Sequence, residues 1–182
     1  MRRKDRQMPR DFALKIIDES DYGVLGLGGE DPYTLPLSII RKEDNLYFHS
    51  AKAGRKVEKI KDGDLVSVTF VGRVQVPRLY SREEIEDHIK MGNFSQIGSK
   101  IYTTEFESAH VSGRIYQVND EEEKKEILYN IAEKYTKDLA DLSLGFIEAS
   151  LGRTAVYKIQ MLEVNGKRKK YGPDAKELKF QK

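Results

Sequence analysis

The sequence predicts a small antiparallel β-barrel with helices packed on its outside, mainly β within the α+β class. Three observations lead there. About six short apolar or alternating runs are separated by turns rich in Gly, Pro, Asp and Asn, the mark of strands joined by short connections. The helical segments are few, and they do not alternate with strands as a parallel doubly wound sheet requires. Neither a Gly-x-Gly-x-x-Gly fingerprint nor a Walker loop occurs.

Composition narrows the class. A chain of 182 residues suits one domain, 1–182, with a sizeable core. Hydrophobic residues make up 38% and charged residues 34%, so the surface is highly charged but the chain is not disordered in bulk. A net charge of +2 is too near balance to argue for nucleic acid. The absence of cysteine removes disulfides, thiolate metal sites and a cysteine nucleophile, and fits a cytoplasmic protein. The three histidines, His49, His88 and His110, lack metal-ligand spacing, so no metal is expected. No apolar run approaches the roughly 20 residues that span a bilayer. The N-terminus has no apolar region of the kind a secretory signal carries.

The elements follow in order. Residues 1–10 are basic and polar and read as an extended arm. Asp11 is placed to cap a helix over 12–19. Tyr22–Leu27 reads as a buried strand, 28–32 as a turn, 33–40 as a second strand, 41–45 as a turn and 46–48 as a third strand. Pro36 donates nothing to a ladder, so its strand lies at an edge or is opened there. Leu65–Val71 alternates as a strand, and 72–77 breaks the sheet. Residues 81–103 read as a helix–loop insertion. Its helix starts with a capping box, Ser81 with Glu84 three residues on, and 91–100 reads as a loop.

Residues 102–118 form a long strand, and Gly113 inside it marks a bulge or a close approach. Asp120 caps the next helix. Its stripe is Ile127, Leu128, Ile131 and Tyr135, and acids fill its first turn as the helix dipole favours. A second amphipathic helix covers 139–151, and 153–164 is the last strand. Asn165-Gly166 then turns into a basic tail, 165–182.

The stretch Leu46–Lys61 carries the chemistry. A short strand ends in His49 and Ser50, small residues follow, and Gly54 precedes Arg55-Lys56 on a segment whose Val57 and Ile60 keep helical spacing. A helix start offers unpaired N–H groups, a glycine lets an anion approach, and arginine grips phosphate through two parallel hydrogen bonds. Two readings stand on the residues alone: a phosphate site, or a strand–turn–helix with a solvated basic face.

The segments DPYTLPLSI, LYFHSAKAGRK, LVSVTF and SAHVSGRIYQVNDEEEKKEIL, taken in order with EKY and NGK, resemble the flavin-binding split-barrel superfamily. Within it they are similar to the 5-nitroimidazole-resistance (Nim-type) branch, relatives of pyridoxamine 5′-phosphate oxidase. The opening MRRKDR is also similar to that branch. The resemblance implies a six-stranded split β-barrel and a homodimer with FMN at the interface. It implies that Arg55 and Lys56 hold the 5′-phosphate and that His49, Ser50 and Ala51 line the cofactor beside them. The backbone of Leu35, Pro36, Leu37 and Ser38 would face the flavin ring. Ser108 would approach from a later strand, and Arg153 is a candidate from the partner chain.

The implied activity is an FMN-dependent reductase taking electrons from NAD(P)H to a small nitroaromatic, quinone or flavin acceptor. Its alternatives are a non-catalytic flavin-binding or redox-sensing module, and a haem- or deazaflavin-binding member of the fold. The Trp and the Arg-x-His element that hold substrate in pyridoxamine phosphate oxidases are missing. An anion or nucleic-acid binder using Arg2, Arg3, Lys4 and Lys167–Lys170 is disfavoured by the acidic helix start and the small net charge. No membrane partner is expected.

Overall fold

The computed structural model describes residues 3–180; Arg2 and the ends of the arm and tail lie outside the described residues. Eight strands make one sheet: β1 (Gln7–Met8), β2 (Gly23–Leu27), β3 (Tyr33–Leu37), β4 (Ile40–Lys42), β5 (Asn45–Ala51), β6 (Leu65–Gln75), β7 (Glu105–Val118) and β8 (Thr154–Lys169). Among the described residues six α-helices accompany it: α1 (Arg10–Glu19), α2 (Arg55–Lys59), α3 (Arg82–Lys90), α4 (Phe94–Ile101), α5 (Glu121–Tyr135) and α6 (Ser143–Ser150). The strand order is β3-β2-β6-β7-β8-β5-β4, with β1 on β8. The pairs are antiparallel.

That order forces the sheet to curl. Strands β3 and β4 sit at opposite ends of it, yet only Ser38 and Ile39 lie between them. A flat sheet would hold its end strands roughly 29 Å apart, six strand spacings. Three backbone steps reach about 11 Å. The ends therefore meet without pairing, and the barrel stays split at that seam. The expected split barrel is present. Its two additional strands are β1 and the piece β4, divided from the expected 33–40 strand at Ser38-Ile39.

Alternation decides what fills it. Leu25, Leu27, Leu46, Phe48, Val68, Phe70, Val111, Ile115 and Ile159 point inward, and α1 closes the mouth with Ala13, Ile16 and Ile17. A second core lies outside the barrel wall. There Tyr47, Val118 and Val156 meet Ile127, Leu128 and Ile131 of α5 and Ile147 of α6. Asp120 caps α5, accepting from the Glu123 N–H at 2.7 Å. The Ser81–Glu84 capping box is formed in both directions, at 3.2 and 2.7 Å. Among the described residues no helix is long and apolar enough to cross a membrane.

Several expectations are corrected. Helix α1 starts at Arg10 after Pro9, and Asp11 lies in its first turn without capping it. Strand β5 extends from Asn45 to Ala51, beyond the expected 46–48. Residues 72–77 do not end the sheet, because β6 runs to Gln75 across a register shift between Val71 and Val74. The expected loop 91–100 contains α4, which buries Ile97. The helix expected at 139–151 is α6, flanked by 3-10 turns at Lys137–Leu142 and Leu151–Arg153.

Asn165-Gly166 does not turn. It lies inside β8, where a Cβ on Gly166 would stand 3.1–3.3 Å from Phe12, Met8 and Ala13. The glycine serves close packing against α1 and β1. The tail is likewise tied down: Tyr171 pairs with Glu177, and Arg6 grips Glu177 at 2.6 and 3.0 Å. At Gly113 the expected bulge is present as a register shift, and a Cβ there would meet the Gln160 carbonyl oxygen at 2.4 Å.

Candidate functional site

Strand β5 ends with its side chains on alternate faces. Ser50 is buried towards the barrel, whereas His49 and Ala51 face out. Packing around the His49 ring, together with the nearby Lys56 cation, holds its pKa below the ordinary histidine value. The chain then turns at Gly54, whose φ of +108° suits glycine and whose missing side chain leaves nothing within 4 Å. Helix α2 follows, and it is short: five residues. So short a helix has little dipole, and the side chains must carry any anion affinity.

The two cations differ. The Arg55 guanidinium lies over the Tyr33 ring at 4.9 Å and donates to the Asp31 carboxylate at 3.0 Å. Lys59, one turn on, also donates to Asp31, at 2.6 Å. Hydrogen bonds from Lys59 and Arg55 lower the Asp31 pKa. Lys56 is half-buried, its ammonium 5.7 Å from the centre of the Phe48 ring. Among the described residues no carboxylate pairs with it, and burial lowers its pKa.

Strand β3 lies opposite, across the seam. Pro36 stands against Val24 of β2, and β3 is the edge of the sheet, one of the two positions expected of a proline strand. Leu35 and Leu37 lean on the barrel core, and Pro36 and Ser38 are exposed. Beyond Ser38 the backbone is tethered to α5. The Ile39 N–H donates to the Tyr135 hydroxyl at 2.9 Å, and its carbonyl accepts from Tyr135 and Lys134 at 3.0 Å each. A cavity of about 370 Å³ opens beside this tether. Ser38, His49 and Thr154 border it on the sheet side, and Ile131, Tyr135 and Ile147 on the helix side.

The fold thus gathers Leu35–Ser38, His49–Ala51, Arg55 and Lys56 around one seam. Ser108 is not among them. It sits on β7 between Val71 and Lys167, three strands from β3 and about 14 Å along the sheet. It shares the outer sheet face with Pro36, through the row Pro36, Val24, Thr69 and His110. Arg153 is exposed in the turn before β8. Sequence reasoning missed Asp31, Tyr33 and Lys59, which orient Arg55 or share its carboxylate. The spacing of Arg55 and Lys59, four apart, was the one local signal. It also missed the helix wall of the cavity, whose residues read only as core stripe.

The comparisons agree on the fold. A family model described as pyridoxamine 5′-phosphate oxidase matches residues 9–168. No curated protein matches the chain. Among solved structures, a candidate 5-nitroimidazole antibiotic resistance protein from Bacteroides thetaiotaomicron VPI-5482 superposes with a TM-score of 0.63 at 21% identity, over 89% of this chain and 86% of that one. A FAD-binding protein from Mesorhizobium loti gives 0.57 at 18%, over 90% and 96%. A FAD and haem binding protein from Mycobacterium smegmatis gives 0.61 at 14%, over 91% and 73%.

Proposed function

This chain belongs to the pyridoxamine 5′-phosphate oxidase family, and from that premise we propose that it binds a flavin at the seam and works as a flavin-dependent reductase. The phosphate end lies at Arg55 and Lys56, and FMN is the simplest cofactor that ends there. The observation that carries this is Lys56, a half-buried cation without a carboxylate partner among the described residues, beside the open backbone of Gly54. Burying a cation unpaired is unfavourable, and a phosphate would supply the missing charge. The residues present fit that group.

The backbone of Leu35–Ser38 forms the wall for the ring, with His49, Ser50 and Ala51 beside it. Ser108 faces the same outer side of the sheet, three strands from that wall. A bound flavin supplies the hydride and single-electron chemistry. The chain's own part is to hold the phosphate, to orient the ring against an edge strand that no other strand covers, and to leave the 370 Å³ cavity at Ser38 and His49 for an acceptor. The acceptor class is a small nitroaromatic, quinone or free flavin, and NAD(P)H is the donor. A cytoplasmic homodimer with the flavin at its interface completes the reading, with Arg153 reaching across from the partner.

The test is direct. The purified protein should be yellow, or should take up added flavin, and should be bleached by NAD(P)H. Replacing Arg55 and Lys56 together by alanine should weaken flavin binding by at least tenfold, since each hydrogen bond to a charged group is worth about 1.5–3 kcal/mol. Unchanged affinity in that variant, or a colourless protein that ignores added flavin, sinks the proposal.

A further inference from the structure

We propose that the cavity between the sheet and the α5–α6 pair takes an uncharged acceptor, held by one polar end at Ser38 and His49 and running apolar along α6 past Phe146. The inference rests on the flavin reading above and narrows its acceptor. Anionic compounds, FMN as an acceptor among them, are excluded, and an apolar arm is required.

The lining decides the charge. Among the described residues no Lys, Arg, Asp or Glu lines this cavity. Burial and the Lys56 cation hold the His49 pKa below its ordinary value, so at neutral pH the ring is uncharged. Lys56 itself does not line the cavity, and in the flavin reading it is committed to the phosphate. Lys134, next to Tyr135 in the chain, is spent on the Ile39 and Ile17 carbonyls at 3.0 and 3.4 Å and borders a different hollow, with Asp18 and Arg41. An anion would therefore lose its water here and gain no countercharge, which is costly. An uncharged acceptor meets no such penalty.

The hydrogen bonds decide the orientation. A hydroxyl has one hydrogen to give. Four hydroxyls at the cavity have given theirs to backbone carbonyls: Tyr135 to Ile39 at 3.0 Å, Thr136 to Ala132 at 3.0 Å, Ser150 to Ile147 at 3.2 Å and Thr154 to Ser150 at 3.0 Å. Among the described residues Ser38 and His49 are tied to no backbone carbonyl, and both border the cavity on the sheet side. Donation to a carbonyl or nitro oxygen is thus concentrated beside the wall for the ring. The rest of the acceptor lies on Leu128, Ile131 and Ile147. Phe146 precedes Ser150 by four residues and so shares its face of α6, and Ser150 lines the cavity. Phe146 is 77% exposed, and Leu142, at the end of the preceding 3-10 turn, is exposed as well. The apolar wall therefore continues outward beyond a cavity of about 370 Å³, and an arm on the acceptor would cover it. With a quinone as acceptor the reaction balances on the donor already proposed: NAD(P)H gives a hydride, solvent gives a proton, and hydroquinone and NAD(P)+ leave.

The experiment measures binding to the flavin-loaded full chain by calorimetry, with three probes on one ring: naphthoquinone, naphthoquinone sulfonate and decyl-naphthoquinone. The sulfonate should bind at least about tenfold more weakly than the parent, and the decyl compound at least about tenfold more tightly. Ser150→Lys, at the end of α6 where a cation suits the helix, should bring the sulfonate to within about threefold of the parent. Phe146→Ser should cut the decyl preference to about threefold or less. Neither residue belongs to either core, and flavin loading equal to that of the unaltered chain shows that the variants fold. Equal affinity for sulfonate and parent, or for parent and decyl compound, overturns the inference and leaves the flavin reading standing. So does a decyl preference that survives Phe146→Ser, and loss of a dimer in that variant would then assign the surface to a second copy. A chain that takes up no flavin overturns both.

Discussion

The three central strands and the seam are built by opposite means. Strands β6, β7 and β8 are long, 11, 14 and 16 residues, and they supply Val66, Val68, Phe70, Val111, Ile115 and Ile159 to the barrel core. Strands β3 and β4 and helix α2 have five, three and five residues. They are held by side chains: Tyr135 and Lys134 on Ile39, and Asp31 on Arg55 and Lys59. The centre gains its stability from continuous pairing and burial. The seam leaves a strand edge, a glycine turn and a cation open, and those are the parts a ligand needs. Stability and recognition are thus divided between regions that share one sheet.

Three substitutions would break or sharpen that division. The largest effect is expected from Phe70→Ala, on β6 at full burial. It should cost about 3–5 kcal/mol in urea unfolding, and flavin affinity measured on the folded fraction should stay as it was. A parallel loss of affinity would show that centre and seam are coupled. Gly113→Ala comes next. Its Cβ would meet the Gln160 carbonyl oxygen at 2.4 Å and the Ile159 side chain at 2.7 Å, so β7 or β8 must shift, at about 1–3 kcal/mol. An unchanged unfolding midpoint would mean that the bulge yields freely.

The smallest effect concerns the tail. The bidentate hydrogen bond from Arg6 holds the Glu177 carboxyl at about 2, against its ordinary 4.5. A carboxyl depressed in the folded state binds its proton more readily when unfolded. Its contribution is therefore complete above pH 4.5 and is lost as the pH falls towards 2. Glu177→Gln should remove about 1–2 kcal/mol at neutral pH and flatten that part of the acid unfolding curve. An identical acid profile in the variant would mean that the tail is not anchored through this pair.

Much of the fold was legible because its causes are local. The cap at Asp120, the box at Ser81–Glu84 and the stripe Ile127, Leu128 and Ile131 lie within a few residues of what they stabilise. Pro36 announced an edge or an opening, and Gly113 a bulge or a close approach, for the same reason. Asn165-Gly166 misled, because a turn dipeptide has the same composition as a strand glycine packed against a helix. At the candidate site, the HSA-x-x-G-R-K run lies where β5 turns into α2. Its partners did not show, since Asp31 is 24 residues from Arg55, and Tyr135 is 96 from Ile39.

By itself the sequence determined an antiparallel barrel with outer helices, a glycine turn followed by two cations, and a strand that proline either keeps at the edge or opens. Each of these follows from backbone propensity and alternation over short spans. Only the tertiary structure decided how the sheet closes, with two residues bringing its ends together. It alone separated the two cations, leaving Lys56 without a carboxylate among the described residues and giving Arg55 to Asp31. It also placed α5 and α6 so that a cavity remains beside His49. Those outcomes depend on which distant segments come into register, and no local pattern records that.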